Sequence, residues 1–270
     1  MTIRLFVGCD PNHCDAESQA VLEWSVRKHA SQPVEIEWMK LSRDPASFWF
    51  SDGQGGGWNT SQWTTTFSAF RWAIPARCGF EGRAIYCDSD VIFMADVAEL
   101  WNQPFPAGKC LLAKGGGSWR LCVSMWDCAA AKGFVMPLGD LRRLASAHSS
   151  MTSRLVAQHA AAPFVGNWNC LDGESYQDLK DPDIKAIHYT SISSQPQLRH
   201  AIPRLAREGR KHWFNGEVRE HWRGDLVALF DTLLEEAEAN GYGPQRYLQD
   251  APFGPVAKRD LSNYQAGPRR

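Results

Sequence analysis

The stretch Ala84-Ile-Tyr-Cys-Asp88-Ser89-Asp90-Val-Ile-Phe93 sets two carboxylates directly after an apolar run. Ala84 to Cys87 reads as a strand covered on both faces. In an extended backbone, residues two apart point to the same side, which would bring the Asp88 and Asp90 side chains together. Two carboxylates held that way beside Val91, Ile92 and Phe93 repel each other unless a proton, a hydrogen bond or a cation intervenes. A hard divalent ion is the simplest bridge. Mg²⁺ and Mn²⁺ accept one or two carboxylates and take their other ligands from water and phosphate, so the Asp88-Ser89-Asp90 triplet would hold a diphosphate. A strand-end turn with solvated acids is the plain alternative, and a bare Asp-x-Asp does not exclude it.

The preceding elements must position this pair. Thr2 to Val7 is a short apolar run that ends at Gly8 and opens into Asp10-Pro11-Asn12, a buried strand emptying into a loop. Asp15 suits an N-cap, Ser18 to Ala30 lacks Gly and Pro, and Pro33 ends that helix before a second strand, Val34 to Met39. A β-loop-α-β opening binds ligands at the carboxyl ends of its strands, which puts Gly8, Asp10 and Asn12 in the crevice, although a simple turn explains them equally. Thr60 to Ile74 reads as a helix stopped by Pro75, with Trp63, Phe67, Phe70 and Ile74 on one face. Arg71 lies on or beside that face, where it needs an anion: a phosphate, an internal carboxylate, or an exit to water. Glycine-rich segments at 51–59 and 115–117 read as active-site lids or as plain surface loops. Neither carries the phosphate-binding glycine pattern of a P-loop or dinucleotide fold.

The string from Arg83 to Trp101 continues through Met94-Ala-Asp96 into Val-Ala-Glu-Leu-Trp101. As a whole it resembles the Tyr-Leu-Asp-x-Asp block of glycosyltransferase family eight, the group of glycogenin and the bacterial lipopolysaccharide galactosyltransferases. The resemblance implies a GT-A fold: an α/β domain with a mostly parallel central sheet and helices on both faces. It also implies Mn²⁺ (or Mg²⁺), a nucleotide diphosphate sugar donor of the UDP-sugar type, and transfer with retention. Gly8-Cys-Asp10-Pro-Asn12 is similar to the family's nucleotide loop, implying contacts from Asp10 and Asn12 to base and ribose. Arg71 is similar to the basic residue before the metal strand, which favours a phosphate partner. Ile184 to His188 looks like the late strand that ends in a third metal ligand, implying His188 beside Asp88 and Asp90. After His188 the family's glycine, lysine and tryptophan are missing, and Arg199 is a candidate to replace the lysine. The 118–172 region does not match the family's sugar-binding segments; only Trp168-Asn169 resembles a later one.

With 270 residues and a formal net charge of −1, the chain can bury a large core and lacks the basic excess of a nucleic-acid binder. The eight cysteines show no zinc spacing and read as reduced core thiols. No apolar run reaches membrane-spanning length and no signal sequence is recognisable, so the expectation is a cytoplasmic protein without a transmembrane segment. The twelve tryptophans are expected mainly in the core. The expected organisation is a catalytic domain over 1–203, a helical extension over 204–243 with Gly224 to Asn240 as a surface helix, and an extended or partly disordered tail over 244–270. That tail is either solvated or in peripheral contact with a membrane-bound acceptor. The acceptor is expected to be a glycan, a lipid-linked or a small-molecule hydroxyl. A phosphatase of the haloacid dehalogenase type would want Thr where Ile92 stands, and a sugar nucleotidyltransferase would want a basic glycine-rich loop at 9–15. An inert nucleotide- or carbohydrate-binding relative is the remaining alternative.

Overall fold

The opening apolar run forms β1 (Ile3–Gly8), α1 (Ala16–His29) follows, and β2 (Val34–Met39) returns parallel to β1. These three elements match the expected β-loop-α-β unit. The protein is described by a computed structural model over residues 2–116, 118–174 and 178–262. The chain continues through α2 (Ile74–Arg77), β3 (Arg83–Asp88), β4 (Val91–Phe93), α3 (Val97–Trp101), β5 (Leu111–Lys114) and β6 (Arg120–Asp127). Then come α4 (Leu138–Arg143), α5 (Ala147–Ala157), β7 (Ala161–Pro163), β8 (Cys170–Leu171), β9 (Ala186–His188), α6 (Leu198–Arg207) and α7 (Gly224–Ala239). The main sheet has the order β2-β1-β3-β6-β5-β7, and β6 alone runs against its neighbours. A small second sheet, β4-β9-β8, lies beyond the carboxyl end of β3.

Side-chain alternation along the central strands builds a core on each face. Phe6, Tyr86 and Trp126 pack with Phe70 and Ile74 and with Leu141, Met151 and Leu155 of α4 and α5. Leu5, Val7, Ile85 and Met125 pack the opposite way, against Leu22 and Val26 of α1 and Val97, Leu100 and Trp101 of α3. Helices therefore cover both faces of a mostly parallel sheet, as expected. On the outer side of α1, the apolar face of α7 buries Leu226, Phe230, Leu233 and Leu234. Gly241 ends that helix in the left-handed region at φ +81.

Several expectations change. Residues 60–69 run through turns into a 3-10 helix, Phe70–Ala73, rather than one long helix. The Thr65 and Ser68 hydroxyls bond each other and the local backbone, which competes with helical bonding. Pro75 opens α2 instead of ending a helix, because its missing N–H is harmless in a first turn. The 51–59 segment is a tight turn in which Asp52 accepts the amides of Gln54 and Gly56, above stacked Trp49 and Trp58. It forms no lid on the cavities described below. Gly115 packs near Trp119 and Pro163, and Gly117 lies outside the described residues. Pro203, the expected domain boundary, sits inside α6, which Arg204 fastens to α1 through a buried pair with Glu17 at 2.6 Å. Beyond α7 a 3-10 helix, Pro244–Tyr247, leads into an irregular stretch up to 262 that is tied to the body, and 263–270 lie outside the described residues.

Candidate functional site

Asp88 ends β3, while Ser89 and Asp90 make the turn into β4. The pair therefore straddles a strand end and a turn instead of sharing one face of a strand. Val91 of β4 pairs with His188 of β9, which carries the imidazole back over the turn, so His188 Nε2 lies 3.4 Å from Asp90 Oδ1. Asp88, His188 and Cys122 of β6 each offer a donor atom, all within 4.8 Å of one another. These groups line a cavity of about 250 Å³ with Asp15, Arg71 and Arg120.

Neighbouring side chains hold each group in place. Arg71 donates to Asp88 Oδ1 at 3.0 Å and to the Ser68 carbonyl at 2.9 Å, and its guanidinium lies 4.5 Å over the Tyr86 ring. Burial disfavours the Arg71 charge, but Asp88 and Tyr86 outweigh it and push its pKa up. The Tyr86 hydroxyl donates to the same Asp88 oxygen. His188 Nδ1 meets Asn169 Oδ1 at 3.0 Å, an arrangement that protonates Nδ1 and leaves the Nε2 lone pair facing the cavity. Gln195 donates to Asp90 Oδ2. Behind β9, buried Asp172 accepts from the Thr190 backbone N–H at 3.1 Å and pairs with His221 at 3.2 Å.

The N-terminal residues divide their work. Asp10 Oδ1 accepts the Asn12 amide at 2.8 Å, and Asp10 lines a second cavity beside the first. The Asn12 side chain is occupied: it donates to the Gly254 carbonyl at 3.0 Å and accepts the Gly254 amide at 2.8 Å. Asp15 occupies the expected N-cap position of α1, but its side chain makes no capping bond. Its carboxylate accepts from the Asp10 amide at 2.8 Å, the Ser89 hydroxyl at 3.2 Å and the Trp213 indole at 3.4 Å. Gly8 is a packing glycine, since a Cβ there would come within 2.5 Å of the Phe67 ring. Arg199 does not reach the site; it pairs with Asp231 of α7 in a separate groove. Tyr86, Cys122, Gln195 and Trp213 were not singled out as site residues, and none carries a local signature beyond its residue type.

The donor set fits a hard divalent cation. Asp90 Oδ1 is buried with no hydrogen-bond donor among the described residues, an arrangement that calls for a cation or a proton. Two carboxylates and one imidazole suit Mn²⁺ or Mg²⁺, whereas burial pushes the Cys122 thiol up and keeps it protonated, a poor ligand for either ion. Burial raises the Asp90 pKa to about 7, with Asp88 and Asp15 adding to the rise and His188 opposing it. A metal must displace that proton at lower pH. Mn²⁺ affinity is thus expected to fall about tenfold per pH unit below pH 7 and to level off above it. Manganese titrations across that range check this, and a flat profile would remove Asp90 from the ligand set.

The mostly parallel sheet, with a small second sheet beyond the carboxyl end of β3, is the GT-A-like nucleotide-diphospho-sugar transferase fold. The galactosyltransferase LgtC, solved with donor and acceptor sugar analogues, superposes with a TM-score of 0.55 over 88% of this chain and 96% of its own, at 10% identity. The glycosyltransferase GlyE of Streptococcus pneumoniae TIGR4 gives 0.52 at 13% identity, over 90% of this chain and 64% of its own. The apo bifunctional enzyme WbbM gives 0.52 at 14% identity over 72% of this chain, which spans 46% of that structure's length. Protein CDI of Arabidopsis thaliana is 28% identical over 211 residues, 69% of this chain and 77% of the relative. No family model matches the sequence.

Proposed function

We propose that the protein is a glycosyltransferase that moves a hexosyl group from a nucleotide diphosphate sugar, of the UDP-sugar type, to an acceptor hydroxyl with retention. The observation that carries this reading is the buried, donorless Asp90 oxygen 3.4 Å from His188, whose imidazole also clusters with Asp88, at the strand end of a GT-A fold. Asp88, Asp90 and His188 are the proposed ligands of Mn²⁺ or Mg²⁺. When bound, the ion supplies Lewis-acid neutralisation of charge on the leaving diphosphate. Arg71 and Tyr86 hold Asp88 on one side, while Asn169 turns the His188 lone pair inward and Gln195 fixes Asp90. Asp10, Asn12, Gly8 and Ser89 are the proposed donor-side residues. Asp10 contributes a side chain to the cavity wall, Asn12 acts through its hold on Gly254, Ser89 acts through Asp15, and Gly8 through its close packing.

The LgtC structure contains donor and acceptor sugar analogues, and the same two ligand classes are proposed here, with a glycan, lipid-linked or small-molecule acceptor. A cytoplasmic setting is part of the proposal, supported by eight unpaired cysteines. Among the described residues no helix is long and apolar enough to cross a membrane.

Calorimetric titration with UDP and GDP, with and without Mn²⁺, tests the reading. One diphosphate is expected to bind tightly with the metal present and at least about tenfold more weakly without it. Absence of metal-linked nucleotide binding would return Asp88 and Asp90 to structural roles, and binding without sugar transfer would leave a binding-only relative.

A further inference from the structure

The second cavity, of about 420 Å³, is built from opposite ends of the chain. Asp10, Asn12 and Cys14 form one wall, while Pro252, Gly254 and Lys258 form the other. Trp213 lines both this cavity and the carboxylate cavity, so its indole stands at their junction. The segment 250–261 crosses the front of the site as a strap. Phe253 donates to the Pro11 carbonyl at 3.2 Å, and the Asn12 side chain pairs with both backbone groups of Gly254. The Thr60 hydroxyl donates to the Ala257 carbonyl at 2.7 Å, and the Arg259 amide donates to the Trp63 carbonyl at 3.0 Å. Arg43 lies 3.7 Å over the Phe253 ring. Contacts to three separate loops fix where each strap residue sits.

Lys258 is the member of the strap that points to a ligand. Its ammonium lies 5.5 Å from the centre of the Trp213 ring, half-buried, with no carboxylate at ion-pair distance among the described residues. Burial pushes its pKa down, against the pull of Asp10 and Asp260. Of the other cations nearby, Arg204 is paired with Glu17 and Arg210 with Glu208, while exposed Lys211 lines the same cavity without the Trp213 stacking that Lys258 makes. In the carboxylate cavity, Arg71 is already committed to Asp88, and Arg120 lines the wall. A diphosphate brings two negative charges into a site where the other fixed acids are Asp15 and Asp90. An uncommitted cation at the junction would offset part of that charge.

We propose that the strap is an integral wall of the nucleotide site and that Lys258 grips a phosphate of the bound nucleoside diphosphate across the face of Trp213. This rests on the nucleotide-sugar reading above. The nucleoside then occupies the Asp10 side of Trp213, and the phosphates pass it toward Asp88 and Asp90.

The test compares wild type, Lys258→Met and Lys258→Arg in calorimetric titrations with UDP, GDP and the corresponding nucleosides at saturating Mn²⁺. Lys258→Met is expected to lose about tenfold in diphosphate affinity, with nucleoside affinity unchanged and with Lys258→Arg restoring most of the loss. A purely structural strap would lower both affinities together, and that result overturns the assignment to Lys258. Unchanged diphosphate binding in Lys258→Met, with wild type still metal-dependent, likewise overturns this inference and leaves the functional reading intact. A wild type that binds no nucleotide removes the reading itself and the inference with it.

Discussion

Replacing Asp90 by asparagine is expected to weaken Mn²⁺ binding by about a hundredfold or more while making the metal-free protein more stable. The two effects have opposite signs because they arise from the same buried charge. Asp90 Oδ1 has no donor, and burial raises its pKa to about 7 from an ordinary 3.8. Between those values the unfolded chain is ionised while the folded chain must keep a proton, so the folded state binds more protons and stability falls as pH rises. The penalty is complete above about pH 7 and absent below about pH 4. A rise of this size corresponds to about 2 to 4 kcal/mol once partial solvent access is allowed for. Asparagine carries no charge, and its side-chain oxygen can still accept from Gln195. In chelator at pH 8, Asp90→Asn should therefore melt higher than wild type, with the difference closing toward pH 4. In Mn²⁺ the order should reverse, because only wild type gains binding energy from the ion. Loss of a direct ligand exceeds the 10- to 100-fold cost typical of outer-shell changes, which sets the expected drop in affinity. An Asp90→Asn protein with wild-type manganese affinity would rule out the proposed ligand set.

Arg71→Met is the second large effect, and it should be partly reversed by metal. The Arg71 and Asp88 side chains are 9% and 14% exposed, so removing the guanidinium leaves a buried carboxylate with neutral partners, the Tyr86 hydroxyl and the Cys122 thiol, in place of its cation. Breaking such a pair typically costs about 3 kcal/mol or more, or roughly 6 to 9 °C in Tm for a chain of this size. Manganese placed against Asp88 would replace the lost positive charge, so the Tm deficit should shrink in Mn²⁺. Transferase activity should stay low, since the Tyr86 ring and Ser68 carbonyl would no longer hold a cation at that edge. Thermal melts with and without Mn²⁺ measure this directly. A deficit that is the same in both would mean that no ion comes near Asp88. Arg77→Met, which removes a pair with Glu37 at the surface, should change Tm by no more than a degree or two in either condition.

What the sequence disclosed follows from where the physical signal was local. Ala84 to Cys87 is uniformly apolar because β3 is covered on both faces, and that uniformity made the strand and its terminal Asp88 legible. The limits of β2 and α1 were marked by Pro33 and by a stretch free of breakers. Asp90 was expected to share a strand face with Asp88, whereas it lies in the turn after β3. Pro203 read as a boundary, yet α6 runs through it because Leu198, Ala201 and Leu205 are buried and Arg204 is locked to Glu17. Asp15 looked like a cap, and only the fold shows its carboxylate shared by Asp10, Ser89 and Trp213. Tyr86 and Cys122 sit in strands where any buried residue would look the same. Gln195 and Trp213 meet the site only through contacts distant in sequence.

The bond between Asn12 and Gly254 joins residues 242 positions apart. At ordinary ribosomal speeds of about 5 to 20 residues per second, the N-terminal loop waits roughly 12 to 50 seconds for its partner to be made. During that interval β1, α1 and β3 can assemble, but the loop at Asn12 has nothing to close against. The cavity wall that Asn12 and Gly254 share can therefore form only after residue 254 has emerged from the ribosome.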